Sequence, residues 1–286
     1  MLADSATRVA IISGAGKGLG RAYAHELASR GVAVVVNNRR HANDGEHSAD
    51  RVVREIREAG GRAVANYGDA EDPGTGEALL ALALEQFGRL DVIIANAGVS
   101  EGASFARQDA AQFFDTVNVN LLGTAYLLLP GFRHLYEQSS GHILLSTSAA
   151  GLYGEHGLPA YSAAKAGLIG LMHSLAIEGR AHAVRVNAIA PFARTQMTSD
   201  SLTAADVDGL APEEVAPVAA ELVDSASTLS GEIIVAGGGR LARAGMQSSA
   251  VISDGTDVGA VLQRLAKAPL DREYAGAVAM FQDFLK

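Results

Sequence analysis

The sequence predicts an α/β fold: a doubly wound parallel sheet of seven strands with helices on both faces. Two observations predict it. Short apolar runs alternate with amphipathic segments along the chain, and 48% of the residues are hydrophobic while 19% are charged. That composition provides enough apolar surface for helices to cover both faces of a parallel sheet. The seven apolar runs lie near Val9, Val32, Ala63, Val92, Ile143, Val184 and Ile233.

Candidate functional residues follow four of these apolar runs. Gly14, Asn96, Ser148 and Pro191 stand at or just after predicted strand ends. Ligands of doubly wound sheets bind at the carboxyl ends of the strands. We therefore expect these four residues to meet at one edge of the sheet.

The charge and the residue types exclude several classes of partner and chemistry. A formal net charge of −9 disfavours nucleic acid or an anionic membrane surface as a partner. The chain has no cysteine, which excludes disulfides, thiolate catalysis and cysteine-ligated metals. Residues 1–8 lack a signal-peptide pattern, and no apolar run reaches the ~20 residues that span a bilayer. We expect a cytoplasmic protein that acts on a small molecule.

A glycine-rich turn follows the first apolar run and opens the first predicted helix. It reads Gly14-Ala15-Gly16-Lys17-Gly18-Leu19-Gly20. Glycines at such a junction let the backbone approach a pyrophosphate, and the free N–H groups of the helix start bind its charge. A glycine turn alone is as often only a tight turn, so the motifs that follow decide its meaning.

Tyr161 and Lys165 are separated by about one helical turn, which places both side chains on one helix face. A phenol of pKa ~10 is a poor proton donor or acceptor near neutrality. A nearby ammonium lowers that pKa, which suits acid–base chemistry on a carbonyl or alcohol, and Ser148 would hold the same substrate oxygen. Such a pair alone is most often an ordinary helix-surface pair. With the glycine turn ahead of it, it predicts an enzyme that moves hydride to or from a nicotinamide.

The end of the second apolar run bears on which nicotinamide is used. An acidic residue there would accept hydrogen bonds from the ribose hydroxyls of NAD and repel a 2′-phosphate. Asn38 and Arg39 stand there instead, and Lys17 adds a second cation on the same side. Arginine suits bidentate phosphate recognition. The sequence therefore favours NADP(H) over NAD(H), with a solvated Arg39–Arg40 loop as the alternative.

The order and spacing of these motifs resemble the short-chain dehydrogenase/reductase family up to about Gly239. The matching positions are the glycine turn, Asn96-Ala97-Gly98, Asn120, Ser148, Tyr161 and Lys165. The resemblance implies a Rossmann-like fold and an NAD(P)-dependent exchange between a secondary alcohol and a ketone. It also implies a catalytic tetrad of Asn120, Ser148, Tyr161 and Lys165. In that tetrad Asn120 holds a backbone carbonyl and a water that links Lys165 to solvent.

Several segments carry a closer resemblance, to the hydroxyacyl-CoA dehydrogenase unit of the multifunctional type 2 beta-oxidation enzymes and to bacterial single-domain relatives. They are residues 18–24, 63–67, 160–165 and 177–180, and the shortened run after Pro191. This resemblance implies a 3-hydroxyacyl-CoA or 3-ketoacyl thioester substrate. Ketoacyl carrier-protein reductases and hydroxysteroid dehydrogenases share every residue named and stay open as alternatives. A non-catalytic nucleotide-binding redox sensor also stays open, although an intact tetrad weighs against it.

The resemblance assigns further residues to the cofactor and the substrate. Asp69 would bind the adenine amine, although an isolated loop aspartate is equally often a turn former. Thr195 would contact the nicotinamide amide, and residues 196–212 would form the substrate lid. The implied cofactor contacts are Gly14, Lys17, Gly18, Leu19, Gly20, Asn38, Arg39, Asp69, Asn96, Ala97, Gly98, Tyr161, Lys165, Pro191 and Thr195. The implied substrate contacts are Ser148, Tyr153 and Tyr161.

We expect residues 1–286 to form one dinucleotide-binding and catalytic domain. Beyond Gly239 the resemblance thins, and residues 240–286 are expected to be a C-terminal extension that packs on the body or on a neighbouring subunit. The resemblance implies a homo-oligomer, a tetramer or a dimer, paired through the helices around 108–138 and 159–182. The histidines on predicted helices lack partners at metal-ligand spacing, so no metal site is expected.

Overall fold

The computed structural model describes residues 7–39, 46–194, 210–251 and 258–285. The chain divides into two compact units, Met1–Arg243 and Ala244–Lys286. Two predicted features lie outside the described residues, Thr195 and most of the lid at 196–212. Arg40 lies outside them as well.

Within the described residues, eight strands form one sheet in the order β3-β2-β1-β4-β5-β6-β7-β8. The strands are β1 (Val9–Ile12), β2 (Ala33–Asn37), β3 (Ala63–Asn66), β4 (Val92–Ala95), β5 (Gly141–Ser146), β6 (Val184–Pro191), β7 (Ile233–Gly237) and β8 (Arg240–Ala244). Every pairing from β3 to β7 is parallel. The predicted doubly wound parallel sheet is confirmed, and each of the seven predicted strands is present.

The helices alternate with the strands, as the sequence predicts. The first unit contains α1 (Gly18–Ser29), α2 (Ser48–Glu58), α3 (Thr75–Phe87), α4 (Ala110–Val117), α5 (Gly123–Glu137), α6 (Ala149–Tyr153), α7 (Pro159–Gly179) and α8 (Pro212–Leu222). The second unit contains α9 (Val258–Leu265) and α10 (Ala277–Phe284). In the described parts of the chain, no helix has the length and apolar character of a membrane span.

The helices cover both faces of the sheet because successive strand residues point to opposite faces. Ile94 belongs to the apolar cluster that contains Tyr23 and Leu27 of α1. Its neighbour Ile93 faces the other side, where a Cβ atom on Gly131 of α5 would overlap the Ile93 side chain. Both isoleucines are fully buried. Burial of each such side chain contributes about 1.5–3 kcal/mol to folding.

The eighth strand, β8, is the one that the apolar pattern did not predict. It follows β7 through Gly238 and Gly239, whose φ angles of 56° and 66° are in the left-handed region. Residues 240–243 are exposed. Arg243 pairs with Glu232 at 2.6 Å. An exposed, charged edge strand has no buried apolar run, so the periodicity that reveals a core strand is missing.

The parallel pairings bring the motifs to one edge of the sheet. Gly14 follows β1, Asn96 follows β4, Ser148 follows β5, and Pro191 ends β6. These four strands are neighbours in the order β1-β4-β5-β6. The predicted meeting of the four residues at the carboxyl edge is confirmed.

The second unit has its own polar contacts. The backbones of Ser248 and Arg272 pair in an antiparallel bridge. The hydroxyl of Tyr274 donates to Oδ2 of Asp283 at 2.7 Å, and Arg272 lies 3.3 Å from the same oxygen. The expectation that this C-terminal extension packs on the body or on a neighbouring subunit stays a prediction.

Candidate active site

The glycine turn between β1 and α1 is closed by contacts that leave no room for a side chain. A Cβ atom on Gly20 would overlap the carbonyl oxygen of Gly14 and approach Nδ2 of Asn96 to 2.7 Å. The amide of Ala15 donates to the carbonyl of Asn37 at 2.8 Å and ties the turn to the end of β2. α1 begins without a side-chain cap. Its first N–H groups can therefore bind an anion at the turn.

Asn96 and Ala97 follow β4 and bind the chain that follows β1. Both amides donate to Oγ of Ser13 at 3.1 Å. Nδ2 of Asn96 donates to the carbonyl of Gly14 at 3.3 Å, and its Oδ1 accepts from Oγ of Ser146 at 3.2 Å. These bonds hold the ends of β1, β4 and β5 together. The sequence analysis missed Ser13 and Ser146, and a serine at the end of an apolar strand was the available signal.

A pocket lies beside this turn and joins several predicted cofactor contacts. It is lined by Gly14, Asn37, Asn38, Arg39, Gly68, Ala70, Glu71, Ala97, Gly98, Val99 and Val119. The lining therefore comes from the glycine turn, the ends of β2 and β4, the loop after β3, and Val119 of the helical segment before α5. Backbone, amide and charged groups surround it, a mixture that suits the adenosine half of a dinucleotide.

The end of β2 is held by side-chain bonds. Nδ2 of Asn38 donates to Oγ of Ser48 at 2.8 Å and to the carbonyl of Arg39 at 3.2 Å. Oδ1 of Asn38 accepts from the amide of Gly16 at 3.4 Å. The Arg39 guanidinium lies 3.8 Å from the carboxylate of Glu71. Arg39 lines the pocket and is 43% exposed.

Ser148, Tyr161 and Lys165 meet where β5 is followed by α6 and α7. Ser148 is the N-cap of α6, and its Oγ accepts from the amide of Ala150 at 3.1 Å. Tyr161 lies in the first turn of α7, and Nζ of Lys165 lies 5.6 Å from the centre of its ring. Lys165 is 3% exposed and donates to the carbonyl of Ser146 at 2.8 Å. The two side chains share one helix face, as predicted.

Burial governs the protonation of this group. Burial lowers the pKa of Lys165 to about 8. Burial also raises the pKa of the Tyr161 phenol, and a hydrogen bond with Ser148 acts in the opposite direction with a smaller effect. The argument that Lys165 lowers the Tyr161 pKa is not supported in this structure, because desolvation of the phenolate is the largest effect. Tyr161 therefore carries its proton near neutrality.

Asn120 lies in a π-helical segment, Asn118–Leu122, between α4 and α5. It is fully buried, and its Nδ2 donates to the carbonyls of Val99 and Thr116 at 2.8 Å each. Its Oδ1 is buried with no hydrogen-bond partner in the described structure. A Cβ atom on Gly98 would lie 2.5 Å from this oxygen and 3.5 Å from Nζ of Lys165. Both polar atoms therefore border the space that the missing side chain leaves.

Three other residues predicted to contact the cofactor have different surroundings. The side chain of Asp69 is exposed, and its carbonyl accepts from Oγ1 of Thr75 at 2.7 Å. Leu19 packs against the apolar core. Lys17 precedes α1 and lines a separate cleft, together with Arg21, Arg51 and Glu55. None of the residues that line this cleft lines the pocket of Arg39. The sequence had predicted that Lys17 and Arg39 lie on the same side of the cofactor.

Two loops that adjoin each other have exposed aromatic side chains beside them. The amide of Ala103 donates to the carbonyl of Gly157 at 2.8 Å and joins the loop after β4 to the loop before α7. Phe105 is 74% exposed and Tyr153, the predicted substrate contact, is 80% exposed. Pro191 ends β6, and Phe192 after it is half exposed.

The polar surface around the histidines contains no metal cluster in the described ranges. His25 lies 2.9 Å from the carboxylate of Glu55, which also binds Arg21. No group of three histidine or acidic residues that could hold a metal ion is found among the described residues.

The comparisons with known proteins agree with this geometry. Residues 8–206 match the family model described as short chain dehydrogenase. A protein of Mycobacterium tuberculosis named as a short-chain type dehydrogenase/reductase is 40% identical over 240 residues, which are 82% of this chain and 84% of that one. The crystal structure of a short chain dehydrogenase from Mycobacterium avium superposes with a TM-score of 0.82 at 34% identity, covering 92% of this chain and 96% of that one.

The predicted similarity to multifunctional type 2 enzymes is also confirmed. The peroxisomal multifunctional enzyme type 2 of Mus musculus is 41% identical over 236 residues, which are 81% of this chain. The match covers 32% of the mouse enzyme, so the chain corresponds to about a third of that relative. The family model, these relatives and the grouping of Ser148, Tyr161 and Lys165 lead to one conclusion. The chain belongs to the short-chain dehydrogenase family and is an oxidoreductase that acts on a CH–OH group with NAD(H) or NADP(H).

Proposed function

We propose that the chain interconverts a 3-hydroxyacyl-CoA and the corresponding 3-ketoacyl thioester, and that it uses NADP(H) in preference to NAD(H). The observation that carries the reaction is the meeting of Ser148, Tyr161 and the buried Lys165 near a pocket that Gly98 also lines. The nicotinamide, when bound, supplies or accepts the hydride. The uncapped start of α1 fits such a group, since it offers N–H donors. Gly98 lets the backbone approach Oδ1 of Asn120, because a Cβ atom there would overlap that oxygen.

Each residue of the group has one role in this reaction. Tyr161 donates a proton to the ketone oxygen during reduction and accepts it during oxidation. Ser148 hydrogen-bonds the same oxygen. Lys165 brings a positive charge close to the phenolate and to the nicotinamide ribose. Asn120, whose Oδ1 is buried and unpaired, holds a water that passes the proton between Lys165 and solvent.

The protonated state of Tyr161 supports reduction as a working direction. Burial raises its pKa, so the phenol is protonated at neutral pH and is ready to act as the general acid for a ketone. Oxidation needs the phenolate instead. We therefore expect alcohol oxidation to gain more from a rise in pH than ketone reduction does.

The acyl thioester is favoured by exposed aromatic side chains in the segments that follow β4, β5 and β6. Phe105, Tyr153 and Phe192 present apolar surface that an acyl chain would cover. Similarity to the multifunctional type 2 enzymes supports the same substrate class. Two other substrate classes remain: ketoacyl carrier protein and hydroxysteroids. The first is favoured by a relative from Synechocystis named as a 3-oxoacyl-[acyl-carrier-protein] reductase, which is 36% identical over 194 residues.

The reaction is tested by turnover on 3-hydroxyacyl-CoA esters of several chain lengths, a 3-ketoacyl carrier protein and a set of hydroxysteroids. We expect the CoA esters to give the highest kcat/KM. Tyr161→Phe should lower kcat by about 10²–10⁴-fold and leave nucleotide binding intact. Preference for the carrier protein or the steroid would replace the proposed substrate. Nucleotide binding without turnover on any of them would support the redox-sensor alternative.

Cofactor choice is tested by separate titrations of NADPH and NADH into the purified protein. Arg39 in the pocket supports tighter binding of NADPH. Arg39→Asp should weaken NADPH binding more than NADH binding. Tighter NADH binding, or indifference to Arg39, would instead make the chain an NAD-linked dehydrogenase.

We also propose a homo-oligomer, a tetramer or a dimer, located in the cytoplasm. Exposed apolar side chains on α4, α5 and α7 support the oligomer, namely Phe114, Leu129 and Ile177. A relative named as peroxisomal makes the location a point to test. A fluorescent fusion of the full chain should be diffuse in the cytoplasm, and a punctate signal would contradict that location.

A further inference from the structure

We propose that Glu71 tunes the cofactor choice of this site, because its carboxylate holds the Arg39 guanidinium that would otherwise bind a 2′-phosphate. The inference rests on the proposed use of NAD(P)(H). Arg39 and Glu71 are the charged residues in the described lining of the pocket. They lie 3.8 Å apart, and their side chains are 43% and 29% exposed.

The two charges come from neighbouring parts of the sheet. β2 and β3 pair in parallel register up to Asn37 and Asn66. Arg39 extends beyond the end of β2, and Glu71 stands in the loop that follows β3. Parallel neighbours end at the same edge of the sheet, so both residues bring their charges to the same pocket.

The uncharged neighbours at the end of β2 already have their own partners. Asn38 binds Ser48, the amide of Gly16 and the carbonyl of Arg39. Nδ2 of Asn37 binds Oδ1 of Asn66 and the carbonyl of Gly68, each at 2.9 Å. Arg39 is therefore the pocket residue with a charge to offer a phosphate, and Glu71 is the group that competes for it.

Competition between Glu71 and the 2′-phosphate for Arg39 weakens the preference for NADP(H) over NAD(H) without abolishing it. An ion pair this exposed is weak, so a doubly charged phosphate can displace the carboxylate from Arg39. The displacement costs part of the binding that Arg39 provides. A nucleotide that lacks the 2′-phosphate leaves the Arg39–Glu71 pair intact and meets no such cost. The site therefore accepts both cofactors, with a smaller NADP(H) preference than Arg39 alone would give.

A double-mutant cycle tests this inference. Dissociation constants for NADPH and NADH are measured on the full chain and on Glu71→Gln, Arg39→Gln and the double variant. We expect Glu71→Gln to tighten NADPH binding about fivefold and to change NADH binding less than twofold. In the Arg39→Gln background the gain for NADPH should fall below twofold, because Glu71 then has no guanidinium to hold.

A matched control removes the same charge elsewhere. Glu58, in the last turn of α2, pairs with Arg54 at 3.4 Å and is 65% exposed. Glu58→Gln should leave both dissociation constants unchanged. An equal gain for NADPH with and without Arg39 would overturn the inference, since Glu71 would then act by direct repulsion. No effect of Glu71→Gln, with both nucleotides bound, would also overturn it. Failure of the unaltered chain to bind either nucleotide would overturn the proposed function itself.

Discussion

Lys165 illustrates at the residue scale how burial changes a functional group. Its ammonium is almost fully buried and donates to one carbonyl, that of Ser146. One carbonyl replaces only part of the hydration that a charged lysine has in water. The charged form is therefore disfavoured, and the pKa falls to about 8. The same burial makes Lys165 able to give up a proton close to physiological pH.

This lowered pKa predicts a pH-dependent contribution to stability. Between about pH 8 and 10.5, the unfolded chain keeps the Lys165 proton while the folded chain has lost it. The unfolding free energy therefore rises with pH in that window, by at most about 1.4 kcal/mol per pH unit. Denaturant unfolding at pH 7 to 10 measures the unfolding free energy of the unaltered chain and of Lys165→Met. The value for the unaltered chain minus that for the variant should rise above pH 8.

The control for this measurement is Lys267→Met, which removes an exposed lysine of the second unit. Its difference from the unaltered chain should stay flat over the same range. A flat difference for Lys165→Met as well would mean that Lys165 keeps its proton when folded.

The sequence predicted those features of the site that depend on local spacing and missed those that depend on residues distant in sequence. The spacing of Tyr161 and Lys165 predicted their shared helix face, because helical geometry alone determines it. The direction of the Tyr161 pKa shift was not predictable, since it depends on burial by residues distant in sequence. Glu71 was missed for a similar reason. It lies 3.8 Å from Arg39 only because β2 and β3 are neighbours in the sheet.

At the scale of single elements, the π-helical segment between α4 and α5 positions Asn120. It contains Asn120, whose amide group bridges the carbonyls of Val99 and Thr116. π-helical turns are often found at functional sites, since they redirect a side chain inside a helix. The sequence carried no signal for this segment. Its residues fit an ordinary helix equally well.

Because the Asn120 amide bridges two carbonyls, its removal should lower the stability of the fold. Asn120→Leu leaves two carbonyls without their donor, which should lower the unfolding free energy by about 2 kcal/mol or more. It should also abolish turnover. Asn118→Leu is the matched control, because Asn118 is partly exposed in the same segment. Its effect should stay within about 0.5 kcal/mol. Equal effects in denaturant unfolding would show that the segment, and not the amide bridge, is being disturbed.

The glycine turn predicts a contrast between two glycine-to-alanine exchanges. In Gly20→Ala the new Cβ overlaps the carbonyl of Gly14, so the turn must shift at a cost of about 1–3 kcal/mol. Nucleotide binding should weaken with it. In α7 a Cβ on Gly170 meets nothing within 4 Å. Gly170→Ala should therefore raise the unfolding free energy by about 0.5–1 kcal/mol. Thermal unfolding of the two variants measures both changes in stability, and a nucleotide titration measures the change in binding. A Gly20→Ala chain that is as stable as the unaltered chain and binds nucleotide would contradict the packing argument.

The whole molecule follows the predicted architecture where strands are buried or half-buried, and it departs from that architecture at the exposed strand β8. The strands from β1 to β7 are apolar because helices cover both faces, and their runs were visible in the sequence. β8 was not visible, since its residues are exposed and partly charged. Exposure removes the hydrophobic pattern on which strand prediction depends.

Exposed apolar residues predict the quaternary state at this scale. Leu129 is 62% exposed and lies on α5, one of the helices proposed to pair between subunits. Leu129→Glu should break that contact and reduce the mass measured by light scattering after size exclusion. Leu84→Glu on α3 replaces a similarly apolar but less exposed leucine outside those helices and should leave the mass unchanged. A monomeric mass for the unaltered chain would contradict the proposed oligomer.

The central position of β1 has a consequence for the order in which the chain can fold during synthesis. Ile11 pairs on one side with Val35 of β2 and on the other with Ile93 of β4. A ribosome delivers the partner in β2 early and the one in β4 much later. Until then β1 has one apolar edge with no neighbour, and such edges recruit other chains. A nascent chain that stalls before residue 92 should therefore aggregate or require a chaperone, even though it already contains the whole glycine turn.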